Sequence, residues 1–368
     1  TELAAPTGRA AKRLGELCGR EASTIHRLLE PQFDAESGTL TFARDESEPL
    51  RADAVIVDET SMVDIQLMDA LLRAMKPESR LVMVGDPDQL PSVGPGNLLS
   101  DLLRSQKVPT ICLTEIFRQA RESLIVLNAH AVNRGQMPEL ARTDKDFFML
   151  PRRDSASIVD TITDLCVRRL PQNMHIPSDQ IQVLTPTRKT EAGTAALNAR
   201  LQAAINPPAP DKQERKYGKI TFRQGDRVMQ IRNNYDIMWR KTSGFGVGAG
   251  VFNGDVGRIL SIDPEEETMT VAFDDKLVDY DFDLLGQLEL AYAMTVHKSQ
   301  GSEYRAVILA AGHCGPYLLT RSILYTALTR ARELLIIVGD PAVVAEMVRN
   351  DRQTRRYSGL KLRLQMEE

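Results

Sequence analysis

The chain has 368 residues, of which 42% are hydrophobic, 26% charged and 5% aromatic. That length predicts two or three domains, and that balance excludes collagen-like, disulfide-scaffold and wholly disordered chains. The formal net charge of -4 provides no overall basic surface, so any nucleic-acid binding has to come from a local basic track.

No apolar run approaches the ~20 residues of a membrane span, so no membrane partner is expected. The first residues read as a charged, helix-like segment with no secretory leader. Cys18, Cys112, Cys166 and Cys314 stand far apart with no Cys-x-x-Cys pair, which indicates neither a zinc site nor a disulfide frame. The expected setting is a reduced, cytoplasmic one.

In chain order, Ala4 to Lys12 reads as a strand, a tight turn and a helix start. Thr7 is placed to cap that helix, whose exposed amides could hold a phosphate of a nucleotide or of a nucleic-acid backbone. Ser23 to Arg27 opens another helix with the same two options. Between Gln32 and Leu50, two short strands around Gly38 predict a hairpin. Val55–Val57 then runs into Asp58 and Glu59, and Leu81–Val84 runs into Gly85, Asp86 and Pro87. Further on, Ile181–Leu184, Val307–Ala310 and Leu335–Val338 end in the same way on polar or Gly residues. Short apolar strands separated by helices predict parallel sheets covered on both faces, with ligands at the carboxyl ends of the strands. Val-Gly-Asp-Pro occurs at 84–87 and again at 338–341, which reads equally as a trace of two similar halves or as chance similarity of strand ends. Pro207–Pro210 makes a stiff entrance to region 214–285, whose alternating strands at 227–231, 257–262, 268–273 and 277–280 predict a small β-barrel. Gly244, Gly246, Gly248 and Gly250 read as a mobile loop within it in preference to a phosphate-binding one, since phosphate loops open a helix and this one lies between strands.

Several segments carry chemistry. A strand ending in Asp58-Glu59 has the Walker B form, with the aspartate on Mg²⁺ and the glutamate on the attacking water. Gln89, following Asp86-Pro87-Asp88 after the next strand, is placed to sense a γ-phosphate. Arg118 and Arg330 lie between apolar neighbours, which suits a held guanidinium that neutralises a transferring phosphoryl group. Thr295 to Glu303 is a polar stretch that leads into a strand. Tyr235, Trp239 and Phe252 are candidates to stack on a base, with core packing the expected use of Phe252.

Taken in order, these segments resemble superfamily 1 helicases, most closely the RecD-like ATP-dependent DNA helicases. Ala5–Ala11 is similar to family motif Ia, and Thr24–Leu29 to the DNA-contacting motif that follows it. Val57–Met62 matches motif II, Gly85–Pro91 motif III, and Phe117–Gln119 motif IV. Thr295–Gly301 matches motif V and Tyr325–Arg332 motif VI. The resemblance implies an α/β fold of two RecA-like P-loop NTPase lobes with a β-hairpin pin and an SH3-like barrel insertion. The first lobe would be 1–115 with the hairpin at 32–50, the second 116–213 plus 286–368, and the insertion 214–285. It implies that ATP and Mg²⁺ are the cofactors and that Asp58 holds the metal. Glu59, Gln89, Arg118 and Arg330 would complete the catalytic set, and Gln300, Gly301 and Glu303 would line the nucleotide cleft. Thr7, Gly8, Thr24, His26, Thr185, Arg188, Thr295 and His297 would contact DNA. The partners implied are single-stranded DNA and single-strand/duplex junctions, with other recombination subunits in some relatives. The activity implied is 5′-to-3′ translocation and unwinding in recombination or repair.

One departure stands against these matches: the Walker A pattern Gly-x-x-x-x-Gly-Lys-[Ser/Thr] does not occur. The expectation is that the chain lacks the start of its ATPase lobe and by itself binds ATP poorly and does not turn it over. Two other readings stand beside the motor. One is a DNA-binding module with a vestigial ATPase. The other is a metal-dependent nuclease using Asp58, Glu59 and Asp86, which leaves Gln89, Arg118 and Arg330 without a role.

Overall fold

A computed structural model describes residues 1–33, 40–114, 122–352 and 358–366. They fall into two units: Thr1–Phe117 with Gln300–Ser302 and Arg352–Glu368, and Arg118–Ser299 with Glu303–Asp351. The division by sequence put 286–368 entirely in the second lobe. The contacts instead group 300–302 and the C-terminal segment with the first unit, where helix Leu360–Met366 packs on helix Leu98–Ser105 and Ser358 donates to Asp101.

The first unit holds a parallel sheet in the order Ser23–Thr24, Glu2–Ala5, Ala54–Val57, Arg80–Met83. Its first residues are therefore a strand, not a helix: Leu3, Ala4 and Ala5 are buried. Val55 and Val57 are fully buried and pack with Ile25, Leu29, Met68 and Leu71, which come from the helices Ile25–Leu28 and Ile65–Ala74 and the residues beside them. Asp64 caps the second of these helices by accepting from Leu67 N at 2.8 Å. The expected hairpin pairs Pro31–Phe33 with Leu40–Phe42 in antiparallel register, and its tip lies outside the described residues.

The second unit holds another parallel sheet in the order Ala293–Thr295, Ile181–Thr185, Tyr304–Ala311, Ala331–Gly339, Phe147–Pro151. Its central strands are apolar on both faces, as covered parallel strands must be: Val307, Ile308, Leu309, Leu335, Ile337 and Val338 are all buried. Between them in sequence comes an antiparallel sheet in the order Val247–Val251, Asn234–Lys241, Lys276–Asp281, Thr268–Phe273, Val256–Asp263, Arg227–Gln230, Leu288–Leu290. Buried Asp226 joins this sheet to the rest of the unit. Its carboxylate accepts from Asn206 Nδ2, Gln202 Nε2, Arg223 N and Tyr292 Oη. Burial nonetheless raises its pKa, the four donors only partly offsetting the desolvation.

The glycine-rich stretch at 244–250 is not simply a loop. Val247–Val251 is a strand, and Gly248 pairs with Trp239 across the ladder. A Cβ on Gly248 would stand 2.3 Å from the Trp239 ring, so the indole lies over the bare backbone there. Lys276 Nζ sits 4.7 Å from the centroid of the same ring. Trp239 is the one tryptophan of the chain and so reports on this contact directly. Gly248→Ala should force the ring out of place and cost about 1–3 kcal/mol, the range for overpacking. The check is a urea titration followed by tryptophan emission: a lower midpoint and a shifted native spectrum are expected, and an unchanged native spectrum would refute the packing.

Candidate functional site

Sheet order sets out the first unit's candidates along one edge. At the carboxyl ends of successive strands stand Thr24, then Thr7, then Asp58 and Glu59, then Asp86 and Gln89. Thr7 caps helix Gly8–Cys18, its hydroxyl accepting from Ala10 N at 3.3 Å, and Gly8 is half-buried at its first position. Thr24, buried, caps Ile25–Leu28 in the same way by accepting from Arg27 N at 3.1 Å. Both side chains hold a helix start in place, and register partners Ala5 and Thr24 set those starts side by side.

Asp58 continues the strand ladder, its N–H donating to Ala4 O at 2.9 Å. One carboxylate oxygen accepts from Glu59 N at 2.8 Å, and the other has no protein partner among the described residues. Glu59 stands in the left-handed region at φ 52°, a conformation that costs energy for a side chain with a Cβ and that re-aims the chain at the strand end. Thr60, buried, donates to Val57 O and fixes the turn. Gly85 belongs to this geometry: a Cβ there would lie 3.0 Å from Thr60 N and 3.2 Å from Ser61 N, so the next strand end closes directly onto the turn. Asp86 in turn organises the loop that follows, accepting from Asp88 N at 3.0 Å and Gln89 Nε2 at 3.4 Å.

Magnesium is commonly held by one or two carboxylates, with waters and substrate phosphates completing the shell. A single strand-end aspartate with a spare oxygen fits that habit, and the described residues offer no cluster of three or more ligands that would favour a protein-caged ion.

The segment assigned to the nucleotide cleft divides. Gln300, buried, donates to Leu90 O at 2.7 Å beside the Gln89 loop. Gly301, at φ 69°, would place a Cβ 3.0 Å from Thr7 Oγ1 and 3.2 Å from Ala10 Cβ. The sequence reading put Thr7 on DNA and Gly301 on nucleotide, yet the two are neighbours. Glu303 is exposed and immediately precedes strand Tyr304–Ala311.

In the second unit Arg330 is buried and held, Nε on Thr326 O at 3.1 Å and Nη2 on Thr329 Oγ1 at 3.2 Å, as its apolar neighbours suggested. Its carbonyl accepts from Tyr304 N at 2.9 Å, which fixes it at the amino end of the sheet beside Glu303. Arg118 lies outside the described residues.

Thr185 and Thr295 are register partners at the carboxyl end of the same sheet. Their hydroxyls are engaged locally. Thr185 is buried and donates to Ala192 O at 3.1 Å, and Thr295 is buried and accepts from Lys298 N at 3.4 Å. They hold the turns that present the exposed Arg188, Lys189 and His297. Glu289 bridges this group, pairing with Arg188 and, at 3.1 Å, with Lys298 Nζ. His297 is exposed, yet enough protein surrounds the ring for desolvation to lower its pKa.

Two of the aromatic candidates are occupied by each other: Tyr235 and Phe252 meet edge to face at 5.6 Å. The sequence reading missed Ser61, buried with its hydroxyl unpartnered among the described residues directly after the Asp-Glu-Thr turn. It also missed Arg9, whose Nη1 donates to Ser302 Oγ at 3.0 Å. Both stand inside motifs already singled out, and neither has a spacing that marks it.

The comparisons agree with this architecture. Residues 1–148 match the family described as AAA domain, residues 197–273 the ATP-dependent RecD-like DNA helicase SH3 domain, and residues 290–338 the UvrD-like helicase C-terminal domain. The ATP-dependent RecD2 DNA helicase of Deinococcus radiodurans is 36% identical over 96% of this chain and 45% of its own length. The RecBCD enzyme subunit RecD of Mycolicibacterium smegmatis is 30% identical over 98% of this chain and 65% of its own length. The chain thus spans about half to two thirds of these relatives. Among solved structures, Pif1 helicase from Bacteroides in complex with ADP-AlF3 and ssDNA superposes with a TM-score of 0.51 at 21% identity, covering 94% of this chain and 83% of that one. The fold is that of two RecA-like lobes with an SH3-like domain, the architecture of superfamily 1 helicases. Within that superfamily the chain belongs to the RecD-like family.

His26 tests one part of this site. Its ring lies 5.9 Å from that of Phe42, at the base of the hairpin, and burial lowers its pKa against a smaller opposing pull from Asp64. This packing competes with the DNA contact expected of it. The unfolded chain takes up the proton near the ordinary value of 6.5, and the folded chain only at lower pH. Stability from neutral His26 is therefore complete above that value and is lost as pH falls through the folded pKa. Urea midpoints should drop between about pH 7 and 5.5, and His26→Phe should flatten part of that drop; a slope unaffected by the substitution would show that the ring is not buried as described.

Proposed function

We propose that this chain forms the motor core of an ATP-driven DNA helicase that moves 5′ to 3′ along single-stranded DNA and opens duplex at junctions, in recombination or repair. The observation that carries the reading is the order of groups along the first lobe's carboxyl edge, from two capped helix starts to the Asp58-Glu59 turn and the Gln89 loop. Helix starts hold backbone phosphates without reading sequence, which a motor requires because it must pass every base. Asp58 would hold Mg²⁺ through its spare oxygen, and Glu59 would orient the attacking water. Gln89, steadied by Asp86, would sense the γ-phosphate. Arg330 and Arg118 would supply the guanidinium groups, while Gln300, Gly301 and Glu303 complete the nucleotide's surroundings. MgATP supplies the phosphoryl group whose loss drives the cycle. The second lobe would hold the strand at the turns carrying Arg188, Lys189, His297 and Lys298, and the hairpin at 32–50 would part the duplex. Assembly with other subunits belongs to the same proposal, since one relative is itself a RecBCD subunit.

The test uses the full-length protein. Glu59→Gln should lower DNA-stimulated ATP hydrolysis by about 10² or more, the loss expected on removing a general base, while leaving affinity for single-stranded DNA intact. Turnover equal to the parent's would remove Glu59 from the chemistry. Unwinding of a 5′-tailed but not a 3′-tailed duplex is the expected polarity; the reverse result would overturn it.

A further inference from the structure

A cavity of about 490 Å³ lies within the second unit, between the antiparallel sheet, the end of helix Thr194–Ile205 and the turn at Ser178–Gln180 that leads into strand Ile181–Thr185. It therefore stands at the amino end of that strand, opposite the end that carries Thr185 and Arg188. None of the groups given a role in the motor lines it.

Two of its walls carry arginines in direct cross-strand register, Arg227 opposite Arg258. Like charges directly opposite one another on antiparallel strands destabilise a sheet. Each is nonetheless held toward the cavity or free to turn into it. Arg227 Nη1 donates to Ile181 O at 3.2 Å. The side chain of Arg258 makes no hydrogen bond or ion pair among the described residues, and the residue is exposed. Lys212, on the same lining, is anchored to the buried polar network around Asp226. Its Nζ donates at 2.6 Å to Asn206 Oδ1, whose own amide donates to Asp226. That leaves the ammonium group with a further N–H to offer. Asp179 and Asp211 also line the cavity, but neither forms an ion pair with Arg258 among the described residues.

We infer that this cavity is a phosphate-binding site in which one phosphate group bridges Arg227 and Arg258, with Lys212 as the third donor. An oxyanion accepting from both guanidinium forks turns a repulsive pair into a favourable one, and tetrahedral phosphate oxygens suit two planar forks approaching from adjacent strands. The volume is that of a small-molecule site, large enough for a phosphorylated metabolite or nucleotide, with the two aspartates as acceptors for its hydroxyl or amino groups. A phosphate of a nucleic-acid backbone offers the same chemistry. The site does not depend on the motor reading, because it uses none of that reading's residues.

The experiment measures thermal unfolding of the full chain at constant ionic strength, with and without inorganic pyrophosphate, for the parent, Arg258→Ala and Arg258→Lys. In the parent, pyrophosphate should raise the unfolding temperature saturably. Arg258→Ala should unfold about 1 °C or more higher without ligand, because the like-charge pair is gone, and should lose at least half of the pyrophosphate increment. Arg258→Lys should keep more of the increment than Arg258→Ala. The same pyrophosphate increment in the parent and Arg258→Ala, or no increment in the parent, overturns the proposal. Oligonucleotide binding then distinguishes the source. Arg258→Ala should lower the slope of log K against log salt by about one if the phosphate belongs to a nucleic acid, and leave it unchanged if it belongs to a small molecule.

Discussion

The first lobe depends on backbone hydrogen bonds that carry its parallel ladder past the ends of its strands. Asp58 N–H reaches Ala4 O, Val84 N–H reaches Val57 O, and Thr60 N–H reaches Val84 O, all within 2.8–2.9 Å. Regular strands stop at Val57 and Met83, but the pairing does not, so the residues just beyond them are held as firmly as the sheet. That is how a left-handed glutamate can persist at position 59: the neighbouring chain segments over-determine it. It also explains Gly85. The third bond brings the turn so close to the next strand that a Cβ at 85 would lie 3.0 Å from Thr60 N and from Leu99 Cδ2, so any restriction at 85 comes from close approach and not from φ.

In the second lobe the same parallel arrangement separates two groups of candidate residues by the length of a strand. Glu303 and Arg330 stand at the amino ends of neighbouring strands, joined by the Tyr304–Arg330 backbone bond. Thr185 and Thr295 stand at the carboxyl ends of another neighbouring pair. The chain leaves the sheet at Thr295 and rejoins it at Tyr304, so eight residues cover the whole distance from one edge to the other. A short, bonded connector has few ways to absorb a displacement. Val296–Ser299 is a tight helical turn closed by Ser299 Oγ on Val296 O at 2.8 Å, which stiffens its first half.

The strands were legible in the sequence because buried parallel strands are continuous apolar runs, and five were placed within a few residues of their observed ends. Their carboxyl-terminal residues were legible for the same reason, since the polar residue after such a run has to be at the edge. What the sequence could not show was the direction of a side chain at that edge. Thr185 and Thr295 have the right type and position for a phosphate contact, and each hydroxyl also bonds within its own turn, Thr185 donating to Ala192 O and Thr295 accepting from Lys298 N. The stretch at 244–250 failed for a different reason. Glycine in a loop and glycine under an aromatic ring look alike in sequence, and the ring that distinguishes them is nine residues away at Trp239. The opening strand was read from Ala4 onward, but the residues before it were taken as helix-like because Glu2–Ala5 is too short to show a period.

On the proposed function, strand binding at the second lobe is an exchange and not a simple addition. Arg188 and Lys298 already share the Glu289 carboxylate, so a phosphate arriving there competes with it. Arg188 is more than half exposed, at 57%, and its pair with Glu289 is therefore cheap to break, in the range of about 0.2–1 kcal/mol typical of such pairs. Lys298 and Glu289 are each only 24% exposed, which makes their bond the more persistent of the two. The expected order follows from these exposures: Arg188 transfers to the incoming phosphate first, and Glu289 stays with Lys298. A carboxylate left in place then limits how tightly any one phosphate is held. That suits a surface that has to release each nucleotide as readily as it takes up the next.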